Sequence, residues 1–302
     1  MSFNENVRID SSRGQNRTGG MGRGPKIAIG GGGGLIVLLI ALFTGMDPAF
    51  LNSILGQEQS AQQQQGSSEG FDHCQTGADA NEHVECRILA TMESLDEFWG
   101  PYAQDVNLSF REPGLVIFSD YVTTDGCGSA SSAVGPFYCP ADETAYFDPT
   151  FFDTLRQQFD TTAGPLAQQY VVAHEYGHHI QQRTGVLQYS QRGGTGPTSP
   201  AVRLELQADC YAGMWAHHAA TVEDPDTGTP YLKPITEEQL RDALSAAEAI
   251  GDDQIQERAG GRVIPENFTH GTSEQRMKWF YTGYEHGSMD RCDTLNIQGS
   301  QL

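Results

Sequence analysis

Residues 165–184 read PLAQQYVVAHEYGHHIQQRT, and the fold of this chain is read outward from them. Pro165 suits the first turn of a helix, where its missing N–H is not needed, and Gly185 suits a left-handed stop after Thr184. The spacing therefore predicts one helix over 165–184. His174 and His178, four apart, project from one face with Cβ atoms about 6 Å apart. Two imidazoles so placed can share one Zn2+ at about 2.0–2.1 Å. Glu175 lies beside that face, able to reach a water on the metal without binding the metal. Val171, Val172 and Ala173 put the segment in a core. Burying two His and a Glu there without a partner is costly, which argues against a surface helix that carries them by accident. Gly177 fits a helix packed with little room for a side chain.

A helix with His-Glu-x-x-His is the arrangement of zinc metallopeptidases, in which the Glu is the general base. Two His leave a catalytic zinc one protein ligand short. A metzincin would need Gly and His where this chain has Gln181 and Thr184, so that class is excluded. A second helix, opened by Ser199 and Pro200 and running through Ala220, offers Glu205 and Asp209 one turn apart. Glu205 is the expected third ligand. Asp209 is expected to accept a hydrogen bond from a ligand imidazole, orienting it and raising its basicity. Without the preceding helix, the two would read as solvated acids. His270, in a loop just before a helix N-terminus, is the candidate donor to the oxyanion, with Tyr170 and Tyr211 as alternatives. Arg276 holds either that loop or Asp209. His179 points elsewhere, and His217 and His218 read as surface residues.

The chain before this domain is unlike it. Residues 1–26 carry five basic and two acidic residues and read as a basic cytoplasmic tail. Residues 27–46 (IAIGGGGGLIVLLIALFTGM) lack charge and, as a helix, would span roughly 30 Å, a bilayer core. With the basic residues before it and Asp47 after it, the span is expected to leave the N-terminus inside and the large domain outside the cytoplasm. A cleaved secretory signal is the alternative, and it too exports the domain. Residues 47–70, rich in Gln, Ser and Gly, read as a polar tether. Residues 71–302 are then the catalytic domain, extracytoplasmic at the cell membrane.

Net charge is −21, and beyond residue 26 the chain has 13 basic and 37 acidic residues. Such a surface repels phosphate backbones and excludes nucleic acid as a partner. The six Cys (Cys74, Cys86, Cys127, Cys139, Cys210 and Cys292) all lie in the exported part, as disulfides in an oxidising compartment would. Many pairings are open. Equal spacing favours Cys74–Cys86 and Cys127–Cys139, leaving Cys210–Cys292 as the long-range bond. A second zinc site from His73, Cys74, His83 and Cys86 is the rival, but it lacks the tight C-x-x-C knuckle.

Apolar spacing over 80–99 predicts an amphipathic helix, and runs at 115–118, 137–139 and 145–147 read as short strands. Thr236 with Gln239 forms a capping box for a helix ending near Gly251. Thr272 or Ser273 caps a last helix to His286, with Gly287 as its stop. Strands first and helices later indicate an α+β fold.

With HEYGHHIQ, ELQADCYAG and FTHGTSEQR in that order, the chain resembles the bacterial family of neutral zinc metallopeptidases, over nearly its whole length. The pattern is gluzincin-like, HExxH followed by ExxxD. The resemblance implies a zincin-like domain: a small sheet, the active-site helix below it and a helical lobe closing a cleft. It implies His174, His178 and Glu205 as ligands of one catalytic Zn2+, Glu175 as base, Asp209 behind a ligand His, and His270 assisting the transition state. A peptide or protein substrate, exported or on the surface, follows from that likeness. Competing expectations are a zincin fold without catalysis that serves as a binding or assembly module, which the intact Glu175 argues against, and a zinc amidase for a non-protein amide.

Overall fold

The computed structural model describes residues 2–18, 70–159, 161–259 and 261–302. The fold is α+β. A four-stranded sheet has the order β1 (Gln15–Thr18), β2 (Gly114–Ser119), β6 (Thr144–Phe147), β5 (Phe137–Cys139). The first three run parallel and β5 is antiparallel to β6. A separate hairpin joins β3 (Tyr121–Thr123) to β4 (Ser129–Ser131). Alternation along β2 gives the sheet two apolar faces. Leu115 and Ile117 enter the main core with the helices, whereas Val116 and Phe118 join Val122, Ala130 and Tyr146 beneath the hairpin.

The helices are α1 (Gly77–Glu82), α2 (Val84–Asp105), α3 (Phe151–Phe159), α4 (Pro165–Thr184), α5 (Pro200–His218), α6 (Glu237–Ala249), α7 (Asp252–Arg258) and α8 (Ser273–His286). Local chemistry accounts for their ends. Ser199 Oγ accepts from Val202 N at 3.3 Å to open α5. Capping boxes at Thr236–Gln239 and Thr272–Gln275 open α6 and α8. Gly185 and Gly287 close α4 and α8 in the left-handed conformation. Helix α4 is buried almost throughout between α5 and α2, and α5 lies in turn between α4 and α8.

The two local disulfides, Cys74–Cys86 and Cys127–Cys139, join as equal spacing suggested, and the remaining pair forms Cys210–Cys292. His73, Cys74 and Cys86 do come close together, but both sulfurs are bonded to each other, so the Cys–His metal reading is not supported.

One boundary is corrected. Residues 1–26 were expected as a tail apart from the domain, yet residues 2–18 are packed into it. Phe3 and Val7 are fully buried, and β1 pairs with β2 in register Gln15↔Val116. The tail's charge hides apolar residues spaced for burial against a surface that only the folded domain provides. No helix among the described residues is long and apolar enough to cross a membrane, and the expected span at 27–46 lies outside those residues.

Candidate metal centre

Helices α4 and α5 meet where Gly177 faces Ala208. A Cβ on Gly177 would come to 3.0 Å from the Ala208 carbonyl oxygen, so a larger residue would push the backbones apart by a few tenths of an ångström. That contact brings the two His of α4 against the carboxylates of α5. His174 Nε2 lies 3.2 Å from Glu205 Oε2, and His178 Nε2 lies 3.6 Å from Glu205 Oε1. The ligand atoms of His174, His178 and Glu205 all fall within 4.8 Å of one another. Donors around a tetrahedral ion with bonds of about 2.0–2.1 Å stand roughly 3.3 Å apart, so a small adjustment accommodates zinc. The imidazole planes cross at 86°, with both Nε2 atoms turned toward Glu205.

Each imidazole is held from behind. His174 Nδ1 donates to Asp209 Oδ1 at 2.8 Å. That carboxylate also accepts from Tyr170 Oη at 2.6 Å and from Arg276 Nε and Nη2, both at 2.9 Å. His178 Nδ1 donates to Gln181 Oε1 at 2.9 Å. Gln181 Nε2 donates in turn to Leu204 O at 2.7 Å and Gln207 Oε1 at 3.1 Å, and Gln207 Nε2 to Cys292 O at 3.0 Å. Both Nδ1 atoms are therefore donors, which fixes the tautomers that leave each Nε2 as a metal donor.

Electrostatics agree with a cation site. Burial opposes charge on Asp209, yet Arg276 and His174 bring its pKa down to about 2. Burial also opposes charge on Glu205, but His178 and His174 outweigh it and hold the carboxyl well below its usual range. Against its own burial, His174 is drawn up to about 10 by Asp209 and Glu205, and a metal ion in this place competes with that proton. Glu175 is shielded on the same helix, and burial raises its pKa although His174 and His178 oppose the rise.

His270 lies in the loop before α8, where burial opposes its charge but Asp252, and after it Glu205, raise its pKa. Asp252, wholly buried at the start of α7, organises this loop. Its Oδ2 accepts from the backbone N–H groups of Thr269, His270 and Gly271 at 2.8, 2.7 and 2.9 Å, and its Oδ1 lies 3.2 Å from His270 Nδ1.

Sequence reasoning missed Asp252, Gln181 and Gln207. Only the Asp-Asp pair at a helix start hinted at the first, and nothing local marked the glutamines. The Tyr170 hydroxyl donates to Asp209, and the Tyr211 ring packs on Trp99. Arg276 serves Asp209. His179 points away, between the Tyr138 hydroxyl and Arg111 O, and burial lowers its pKa to about 4. His217 and His218 bond the Tyr284 and Gly287 carbonyls at the end of α8.

The chain is similar to two uncharacterized proteins. One, from Mycobacterium tuberculosis, is 49% identical over 258 residues, 85% of each chain. The other, YpfJ of Escherichia coli, is 37% identical over 270 residues, 88% of this chain and 87% of its own. No solved structure matches. The family model described as "Putative neutral zinc metallopeptidase" matches residues 2–295, and the chain belongs to that family.

Proposed function

We propose that this protein is a zinc-dependent endopeptidase with the zincin arrangement, and that His174, His178 and Glu205 hold its single metal ion. The observation that carries the reading is the convergence of these three donors, on two helices, beside the buried carboxylate of Glu175. A zinc ion held there supplies a Lewis acid for the scissile carbonyl and lowers the pKa of water toward 7. Glu175 takes the proton from the attacking water and delivers it to the leaving amine. Its raised pKa suits a base that must also release the proton. His270, with Nδ1 engaged by Asp252, donates from Nε2 to the oxyanion. Asp209 keeps His174 in place, and Arg276 neutralises Asp209. The substrates are peptides or proteins outside the cytoplasm, and residues 27–46 attach the enzyme to the membrane. Three disulfides support the extracytoplasmic location, and the apolar run supports the attachment.

The test is the full-length protein with a mixed peptide library, with and without a chelator. Chelator-sensitive cleavage is expected. Zinc bound without cleavage of any peptide would favour an amidase or a binding module. Glu175→Gln should keep zinc and lose about 10²–10⁴-fold in rate, because it removes the base and no ligand. Activity near wild type in that variant overturns the mechanism.

A further inference from the structure

Residues 2–18 are laid along the domain by hydrogen bonds at almost every step. Asn4 N donates to Tyr231 O at 2.9 Å, Gly77 N to Val7 O at 2.9 Å, and Ile9 N to Gln75 O at 3.1 Å. Two acidic side chains accept backbone N–H groups of the segment: Asp224 from Arg8 at 2.9 Å and Glu93 from Asp10 at 2.8 Å. The seat is cut for this backbone. A Cβ on Gly77 would stand 2.0 Å from the Asn4 carbonyl oxygen. Phe3 and Val7 fill the apolar places, and β1 completes the sheet.

The segment also reaches the metal helix. Arg13 donates to Asp96 from Nε at 2.7 Å and from Nη2 at 3.2 Å. Asp96 Oδ1 accepts from the hydroxyl of Tyr176, at 2.7 Å, the residue between Glu175 and Gly177. Arg13 and Asp96 are 12% and 8% exposed, so this is a shielded pair, and removing Arg13 leaves a buried carboxylate uncompensated.

A docked segment must share the compartment of the domain that holds it. One crossing of a bilayer by residues 27–46 would put residues 2–18 and 71–302 on opposite sides of about 30 Å of hydrocarbon. Docking and a single crossing exclude each other. Undocking would leave Glu93 and Asp224 without these partners and would expose the seats of Phe3 and Val7.

We infer that residues 2–18 are a working part of the metal-binding domain and share its compartment. The occupant of the seat is the chain's own amino-terminal segment. This inference is independent of the peptidase reading, because it concerns where the segment sits and not what the metal does.

Glu5 and Arg262 are exposed, one in the segment and one in the body of the domain, and no free Cys is present among the described residues. Full-length Glu5→Cys and Arg262→Cys variants, treated separately in spheroplasts with a membrane-impermeant maleimide, should label alike, both before lysis or both only after it. Labelling of one before lysis and the other only after it overturns the inference. Gly77→Val in the full chain should expose Arg8, Arg13 and Arg17 to trypsin, with loss of the protection seen in wild type. Equal protection in both proteins overturns the docking. The labelling pair leaves the seat untouched and so decides the matter even if the Gly77 variant fails to fold.

Discussion

Glu205 and Asp209 sit one turn apart on α5 and meet His174 at opposite nitrogens, Glu205 near Nε2 and Asp209 at Nδ1. Their chemistry therefore differs although their composition is alike. Glu205→Ala leaves two protein donors, and zinc should be lost on dialysis. Asp209→Ala keeps all three donors but frees the imidazole and strands Arg276. It should hold zinc with affinity or activity lowered about 10–100-fold. Zinc content and peptide cleavage, measured on both, decide between the roles. An apo Asp209→Ala protein beside a zinc-loaded Glu205→Ala protein would reverse the assignment. The spacing of the motif made both residues candidates, but only the direction in which α5 faces α4 separates them.

At the scale of elements, the site depends on two close helix crossings. Gly177 sets the approach of α4 to α5. Gly213 and Gly283 set that of α5 to α8, where an added Cβ would meet Phe280 O at 2.0 Å or Cys210 O at 1.9 Å. Both clashes are with backbone, so a rotamer change cannot relieve them. Gly283→Ala should push α8 away, costing about 1–3 kcal/mol in chemical denaturation. Because α8 carries Arg276 and follows His270, zinc affinity should fall with stability. An unchanged midpoint and zinc affinity would show that the crossing has slack. Helices α4, α5, α6 and α8 were legible because Pro, Ser, Thr and Gly mark their ends. Helices α1, α3 and α7 are short, and β1 lies among charged residues, so no period long enough to read marked them.

Across the whole molecule, acidic groups under the amino-terminal segment make its seating depend on pH. Burial raises Glu93 to about 8; the Asp10 N–H and Arg13 oppose the rise, whereas Asp10 and Asp96 add to it. Burial likewise lifts Asp96 to about 6 against the pull of Arg13 and Tyr176. A folded-state pKa above the unfolded one means that the native state holds the proton more tightly. The associated stability is present below the unfolded value and is lost as pH rises through the folded value. Thermal stability should therefore fall from about pH 5 to pH 9, and Glu93→Gln should flatten the slope. Tm measured across that range checks it. An equal slope in the variant would remove Glu93 from the account. Asp209 acts in the opposite sense, since its depressed pKa loses stability only as pH falls through about 2.

What this sequence determined by itself is local. Four residues of spacing put His174 and His178 on one face, Glu205 and Asp209 on another, and helix punctuation around them set where those faces begin and end. Equal Cys spacing also marked two of the disulfides that form and left the third as the remaining pair. Tertiary structure decided everything that depends on distance through space and not along the chain. It chose which carboxylate meets which nitrogen, linked His178 to Cys292 through two glutamines, and set Asp252 under the His270 loop. It also laid residues 2–18 against parts of the domain far along the chain, because a buried Phe, a buried Val and a strand edge can be satisfied only by a surface assembled from distant parts of the chain.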